Sequence, residues 1–207
     1  MTSKVQNRGL ISRIRRRAVS VALALAVMLV AGMVATPSAQ AQTYSILHTF
    51  TGPPDGSEPH AGLVRDAAGN LYGTTYYGGV SGYGAVFMLD MTNHEMVLHS
   101  FTGAPDGATP IGGLFRDAAG NLYGTTSYGG VSGYGTLFKV DPTGMETVLY
   151  SFTGGTDGDG PFAGLIQDAA GNLYGTTFGG GASGYGTVFK LDPTGKETVL
   201  LSFGGGV

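Results

Sequence analysis

A chain of 207 residues without cysteine cannot use a disulfide, a thiol nucleophile or a cysteine-ligated metal. Its 38 glycines and 12% charged residues mean either disorder or an ordered structure built on many tight turns. Charge is unevenly placed: six of the eleven basic residues fall within the first 17 positions, and all fourteen acids come later.

Lys4, Arg8, Arg13, Arg15, Arg16 and Arg17 precede an apolar run from Ala18 to Ala35, then Pro37-Ser38-Ala39-Gln40-Ala41. A basic start, an apolar middle and an A-x-A site predict a secretory signal peptide over residues 1–41. An uncleaved anchor is the competing reading, but the run sits at the short edge of what crosses a bilayer. The arginine cluster suggests twin-arginine export, although Ala18-Val19 stands where such signals favour bulkier apolar residues. Cleavage leaves Gln42–Val207 with five basic and fourteen acidic residues, a formal net charge of −9. That surface excludes nucleic acid as a partner and is repelled by anionic membranes. The expected location is extracellular, at the cell surface or periplasmic.

Beyond residue 42 the sequence repeats with a period of 51. Phe50, Phe101, Phe152 and Phe203 keep this spacing, as do Asp66, Asp117 and Asp168. The block Arg65-Asp66-Ala67-Ala68-Gly69-Asn70-Leu71-Tyr72-Gly73-Thr74-Thr75 returns at 116–126, and at 167–177 with Gln167 in place of arginine. Such periodicity marks a repeat architecture. The units run roughly 44–94, 95–145 and 146–196, with a partial one at 197–207, in a single domain over 42–207.

Each unit reads as four short strands bounded by Gly, Asp and Pro clusters, with no 3.6-residue period anywhere. In the third unit they fall at Gly164–Asp168, Leu173–Phe178, Gly186–Asp192 and Glu197–Phe203. A further strand of the fourth type is expected at Tyr44–Phe50. Asp66-Ala67-Ala68-Gly69-Asn70 suits a type I turn followed by a left-handed glycine, the three-residue hairpin loop. Asp141-Pro142-Thr143-Gly144 and Asp192-Pro193-Thr194-Gly195 share the design, and Asn93 replaces the glycine in the first unit. Strict alternation would place Val148, Tyr150 and Phe152 on one face and Thr147, Leu149 and Ser151 on the other. Neither face is wholly polar, which suits sheets packed between neighbouring sheets. The fold class expected is all-β, a β-propeller-like array of three four-stranded antiparallel blades plus flanking strands. A stacked solenoid is the alternative.

From Ala61-Gly62-Leu63 through Asp66–Thr75 to Gly84-Ala85-Val86-Phe87, the sequence resembles the GloVer tandem repeat, a family of exported bacterial proteins. The resemblance covers essentially the whole chain beyond the leader. It implies a propeller-like fold and supplies no catalytic residues. Such proteins usually carry more copies and often a C-terminal sorting signal, and propellers typically have four to eight blades. The expectation is therefore an incomplete propeller: a fragment of a longer product, or a chain that self-associates to cover its open blade faces.

Candidate chemistry is sparse. Asp66, Asp117 and Asp168 recur at one hairpin, where aspartate caps turns. Asp157-Gly158-Asp159-Gly160 resembles the opening of a calcium loop, but neither a third aspartate nor a bidentate glutamate follows. His48 and His99 share a repeat position with Tyr150; His60 and His94 sit in loops without a partner at zinc-ligand spacing. Gly79-Val80-Ser81-Gly82-Tyr83 fails as a nucleophile elbow, and Gly78–Gly84 fails as a phosphate loop. No catalytic residue, metal or cofactor is assigned. The best binding candidates are Tyr76, Tyr77 and Tyr128, which flank the glycine-rich loop, with Arg65, Arg116 and Gln167 on the innermost strand facing a central channel. Tyr83, Tyr134 and Tyr185 recur within the loop and read as wedges between blades. The activity expected is an exported scaffold binding protein or carbohydrate. A propeller enzyme acting on polysaccharide, or a fragment without independent function, remain the alternatives.

Overall fold

The computed structural model describes residues 43–204; the expected signal peptide lies outside them. The first strands are β1 (Gly56–Ser57), β2 (Val64–Arg65), β3 (Leu71–Thr75), β4 (Tyr77–Gly78), β5 (Ala85–Leu89) and β6 (Glu95–Ser100). Next come β7 (Phe115–Arg116), β8 (Leu122–Thr126), β9 (Thr136–Val140) and β10 (Glu146–Ser151), then β11 (Ile166–Gln167), β12 (Leu173–Thr176), β13 (Thr187–Leu191) and β14 (Glu197–Ser202). They form three four-stranded antiparallel meanders, β2-β3-β5-β6, β7-β8-β9-β10 and β11-β12-β13-β14. These are the three blades of a β-propeller-like array.

Local chemistry sets the hairpins. Between the first two strands of each blade, the Asp66, Asp117 and Asp168 carboxylates accept bonds from Asn70, Asn121 and Asn172, backbone and side chain alike, at 2.7–2.9 Å. In the last hairpins, Asp90, Asp141 and Asp192 each accept from the backbone N–H two and four residues on. Asn93 takes φ 64° where Gly144 takes 87° and Gly195 83°, so asparagine does occupy the left-handed position expected of it.

Packing lies between blades. One apolar cluster joins Val86 and Phe101 of the first blade to Leu114, Leu122, Phe138 and Val140 of the second. The other joins Leu137 and Phe152 to Leu165, Leu173, Phe189 and Leu191 of the third. Phe101 meets Phe138 edge-on at 5.0 Å, and Phe152 meets Phe189 at 5.1 Å. A glycine in each second strand makes room for these rings: a β-carbon on Gly124 would lie 2.6 Å from the Phe138 ring. Toward the hub the first strands converge, and a β-carbon on Gly164 would lie 3.0 Å from the Gly113 carbonyl oxygen.

Three features depart from the sequence expectation. First, the register shifts between Val148 and Tyr150, leaving Leu149 as the extra residue of a β-bulge. Leu149, Tyr150 and Phe152 all pack toward the third blade, so strict alternation fails where the bulge turns two neighbours to one side. Second, the first strand of each blade has only two paired residues, because backbone approaches backbone at the hub. Third, Tyr44–Phe50 carries no strand ladder. A fourth strand pairs with the third strand of its own blade, and no such strand precedes it among the described residues. Phe50 nevertheless meets Phe87 at 5.0 Å, like the phenylalanines at the two seams. Phe203, at the same repeat position, is 42% exposed whereas Phe101 and Phe152 are fully buried.

Candidate functional site

A meander separates two ends. Hairpins occupy one; the long loops between the second and third strands, and the connections between blades, occupy the other. At the loop end, Asp55, Asp106 and Asp157 each accept from the backbone N–H and hydroxyl of Thr51, Thr102 and Thr153. These aspartates close the connecting turns. Each connection then pairs with the neighbouring loop: β1 with β4, Ala108 with Tyr128, and Asp159 with Gly179. The sequence had not signalled this ribbon, because its partners are glycine-rich segments without strand pattern.

The recurring tyrosines help join the blades. The Tyr83 ring lies 3.5 Å from where a β-carbon would stand on Gly103, and the Tyr134 ring covers Gly154 more closely. Their carbonyls accept from Thr109 N–H at 2.7 Å and Gly160 N–H at 3.1 Å. Packing against the next connection is thus one use of these rings.

The non-recurring aromatics are different. Tyr76 meets Tyr77 edge-on at 4.4 Å and His60 at 5.4 Å, and burial raises the pKa of its hydroxyl. Tyr77 is 45% exposed and Tyr128 53%. Phe162 and Phe178 stack at 5.2 Å with an interplanar angle of 26°, and Phe178 is 73% exposed. Sequence reading missed that pair. The signal was present, since Phe178 takes the repeat position of Tyr76 and Ser127, and Phe162 that of His60 and Ile111.

Arg65, Arg116 and Gln167 lie at the hairpin end, away from Tyr76, Tyr77 and Tyr128. Direct cross-strand partners share a face. Arg116 stands opposite Leu122, itself opposite Val140, and Gln167 stands opposite Leu173, itself opposite Leu191. Both therefore face the seams rather than a channel. The Arg116 guanidinium lies 5.7 Å over the Tyr72 ring. Arg65 reaches back to the Gly69 carbonyl of its own hairpin.

Both seams carry a part-buried polar group of three, and a third such group stands where residues 48–55 meet the first blade. His48 approaches Asp55 at 3.4 Å, His99 approaches Asp106 at 3.2 Å, and the Tyr150 hydroxyl donates to Asp157 at 3.0 Å. Glu95, Glu146 and Glu197 each keep one buried carboxyl oxygen without a partner. Burial, with the nearby Asp106 charge adding to it, pushes Glu146 up to about 7. A carboxyl titrating near neutrality is a common mark of an active site. Here its equivalents recur in every blade, which assigns it to the blade design. By contrast, the Asn172 amide and the Tyr174 hydroxyl hold the hairpin residue Asp168 down at about 2. No group of three or more His, Asp or Glu side chains among the described residues is arranged to hold a metal.

The profile of the Gloeobacter/Verrucomicrobia repeat matches residues 30–207. A crystal structure of a protein named as a candidate gluconolactonase is 19% identical, with a TM-score of 0.42, over 68% of this chain and 47% of that one. This chain therefore spans about half of that protein's length, and so distant a likeness carries no functional argument. No curated protein matches the chain.

Proposed function

The chain belongs to the Gloeobacter/Verrucomicrobia repeat family, and from that premise we propose that it is an exported scaffold whose loop end binds an extracellular protein or polysaccharide surface. One observation carries the reading. At the loop end, aromatic side chains sit exposed at positions where the repeat varies: Tyr77 and Tyr128 give way to Gly179, and Phe178 replaces Ser127. Residues that build the blade recur in every unit. Residues that change between units and remain exposed are spare for recognition, and aromatic rings supply contact area at small entropic cost. Nine of the ten aspartates are committed to turns, which leaves no aspartate pair for hydrolysis of a polysaccharide, so the binding reading is preferred.

The test expresses the full chain in a bacterial host and sequences the N-terminus of the secreted protein, expected at Gln42. Retention is measured on immobilised cellulose, chitin and peptidoglycan, and on outer-envelope protein. The triple variant Tyr77→Ala, Tyr128→Ala, Phe178→Ala should bind at least tenfold more weakly than the parent, with an unchanged melting temperature. Equal retention of the two proteins, or a secreted chain still starting at Met1, would sink the reading.

A further inference from the structure

The two seams are built from the same repeat positions yet differ at the hairpin end. Between the first and second blades, Arg116 fills the seam with its guanidinium over Tyr72. A β-carbon on Gly144 would there lie 2.9 Å from the Leu98 carbonyl oxygen. Between the second and third blades the arginine is replaced by the shorter Gln167, and a β-carbon on Gly195 would lie 3.9 Å from the equivalent Leu149 oxygen. The space so opened is a pocket of about 310 Å³.

Its lining restricts the occupant. The apolar residues Leu149, Leu173 and Leu191 line it together with Tyr123, Lys139, Gln167 and Asp192. Asp192 uses Oδ1 for its hairpin, and Oδ2 takes no part in those bonds. An acyl chain would strand these polar groups unpaired in apolar contact. A phosphate would meet Asp192 beside a single lysine, and a metal cation would meet Lys139. A neutral ring with an apolar C–H face and hydroxyls at its edge satisfies all of them: hydroxyls accept from Lys139 and Gln167 and donate to Asp192. The volume lies at the lower end of that usual for small-molecule sites.

We propose that the hairpin-end seam between the second and third blades is a binding site for a single pyranose sugar. It is separate from the loop-end reading, because it lies at the opposite end of the blades and uses none of the same residues.

Saturation-transfer NMR with methyl glucoside, galactoside and mannoside tests it on the purified protein. At least one pyranoside should receive saturation, with millimolar affinity. Gln167→Arg, which restores the residue of the other two blades, should weaken binding at least fivefold with an unchanged circular dichroism spectrum. Lys139→Met, which copies Met88, should do the same, and it carries the test if the arginine variant misfolds. Val80→Ala, 78% exposed and outside both proposed sites, should bind as the parent does. Absence of transfer from all three sugars overturns the proposal, and so does less than a fivefold loss in the folded seam variants. Loss in Tyr128→Ala alone would move sugar binding to the loop end and also overturn it.

Discussion

Phe152 and Phe203 occupy the same position of the repeat, which turns the seam into a quantitative comparison. Phe152 is fully buried, 5.1 Å from both Phe189 and Tyr150. Truncation to alanine removes those contacts and leaves a cavity that two sheets cannot fully close, at a cost of about 3–5 kcal/mol. Phe203 is already 42% exposed. Full burial of such a side chain is worth about 1.5–3 kcal/mol, so its partial burial is worth about 1 kcal/mol. With a urea dependence of about 2 kcal/mol per molar, Phe152→Ala should lower the unfolding midpoint by roughly 2 M, and Phe203→Ala by about 0.5 M. Equilibrium urea unfolding followed by tyrosine fluorescence measures both. Equal shifts would refute the assignment of stability to the seams, and a Phe152→Ala cost below 1 kcal/mol would refute the packing itself.

Two further predictions concern the blade interior. Because burial raises Glu146 above its unfolded value of 4.5 to about 7, its contribution to stability is fully present below pH 4.5 and is lost as pH rises through 7. With the group only half buried, the loss is discounted for solvent screening to roughly 1–2 kcal/mol. Glu146→Gln should remove that pH dependence in urea titrations between pH 4 and 8; an unchanged slope would count against it. Gly124→Ala forces a β-carbon against the buried Phe138 ring and should cost about 1–3 kcal/mol, whereas Gly62→Ala, with nothing within 4 Å, should stay within about 0.5 kcal/mol. Thermal unfolding of the two variants side by side decides the point.

Much of the fold was legible because its determinants are local. Asp141 and Gly144 lie within one hairpin, and their spacing specifies the turn without reference to anything distant. The second to fourth strands follow from the apolar runs between such turns. What stayed hidden depends on contacts that only the folded chain makes. Alternation could not anticipate the bulge at Leu149, since the extra residue fits the packing demand of the third blade. The β1–β4 ribbon joins segments whose glycines carry no strand pattern. Arg116 and Gln167 were legible as candidates but were assigned to a channel; the cross-strand register with Leu122 and Leu173 turns them to the seams. The Glu146 cluster escaped notice because Glu146, Asp106 and His99 come from three different stretches, and only the folded seam makes them neighbours.

Every seam draws one wall from around the third and fourth strands of one blade and the other from around the first three strands of the next, always at the same offsets. An in-frame duplication of any 51-residue stretch, wherever its boundaries fall, would therefore insert a blade whose two faces already match those on either side. Array length can change by recombination alone, without compensating substitutions, because each repeat contacts mainly its neighbours. Recognition residues at the loop end are free to diverge copy by copy, while Phe138, Gly124 and Asp117 must be copied unchanged.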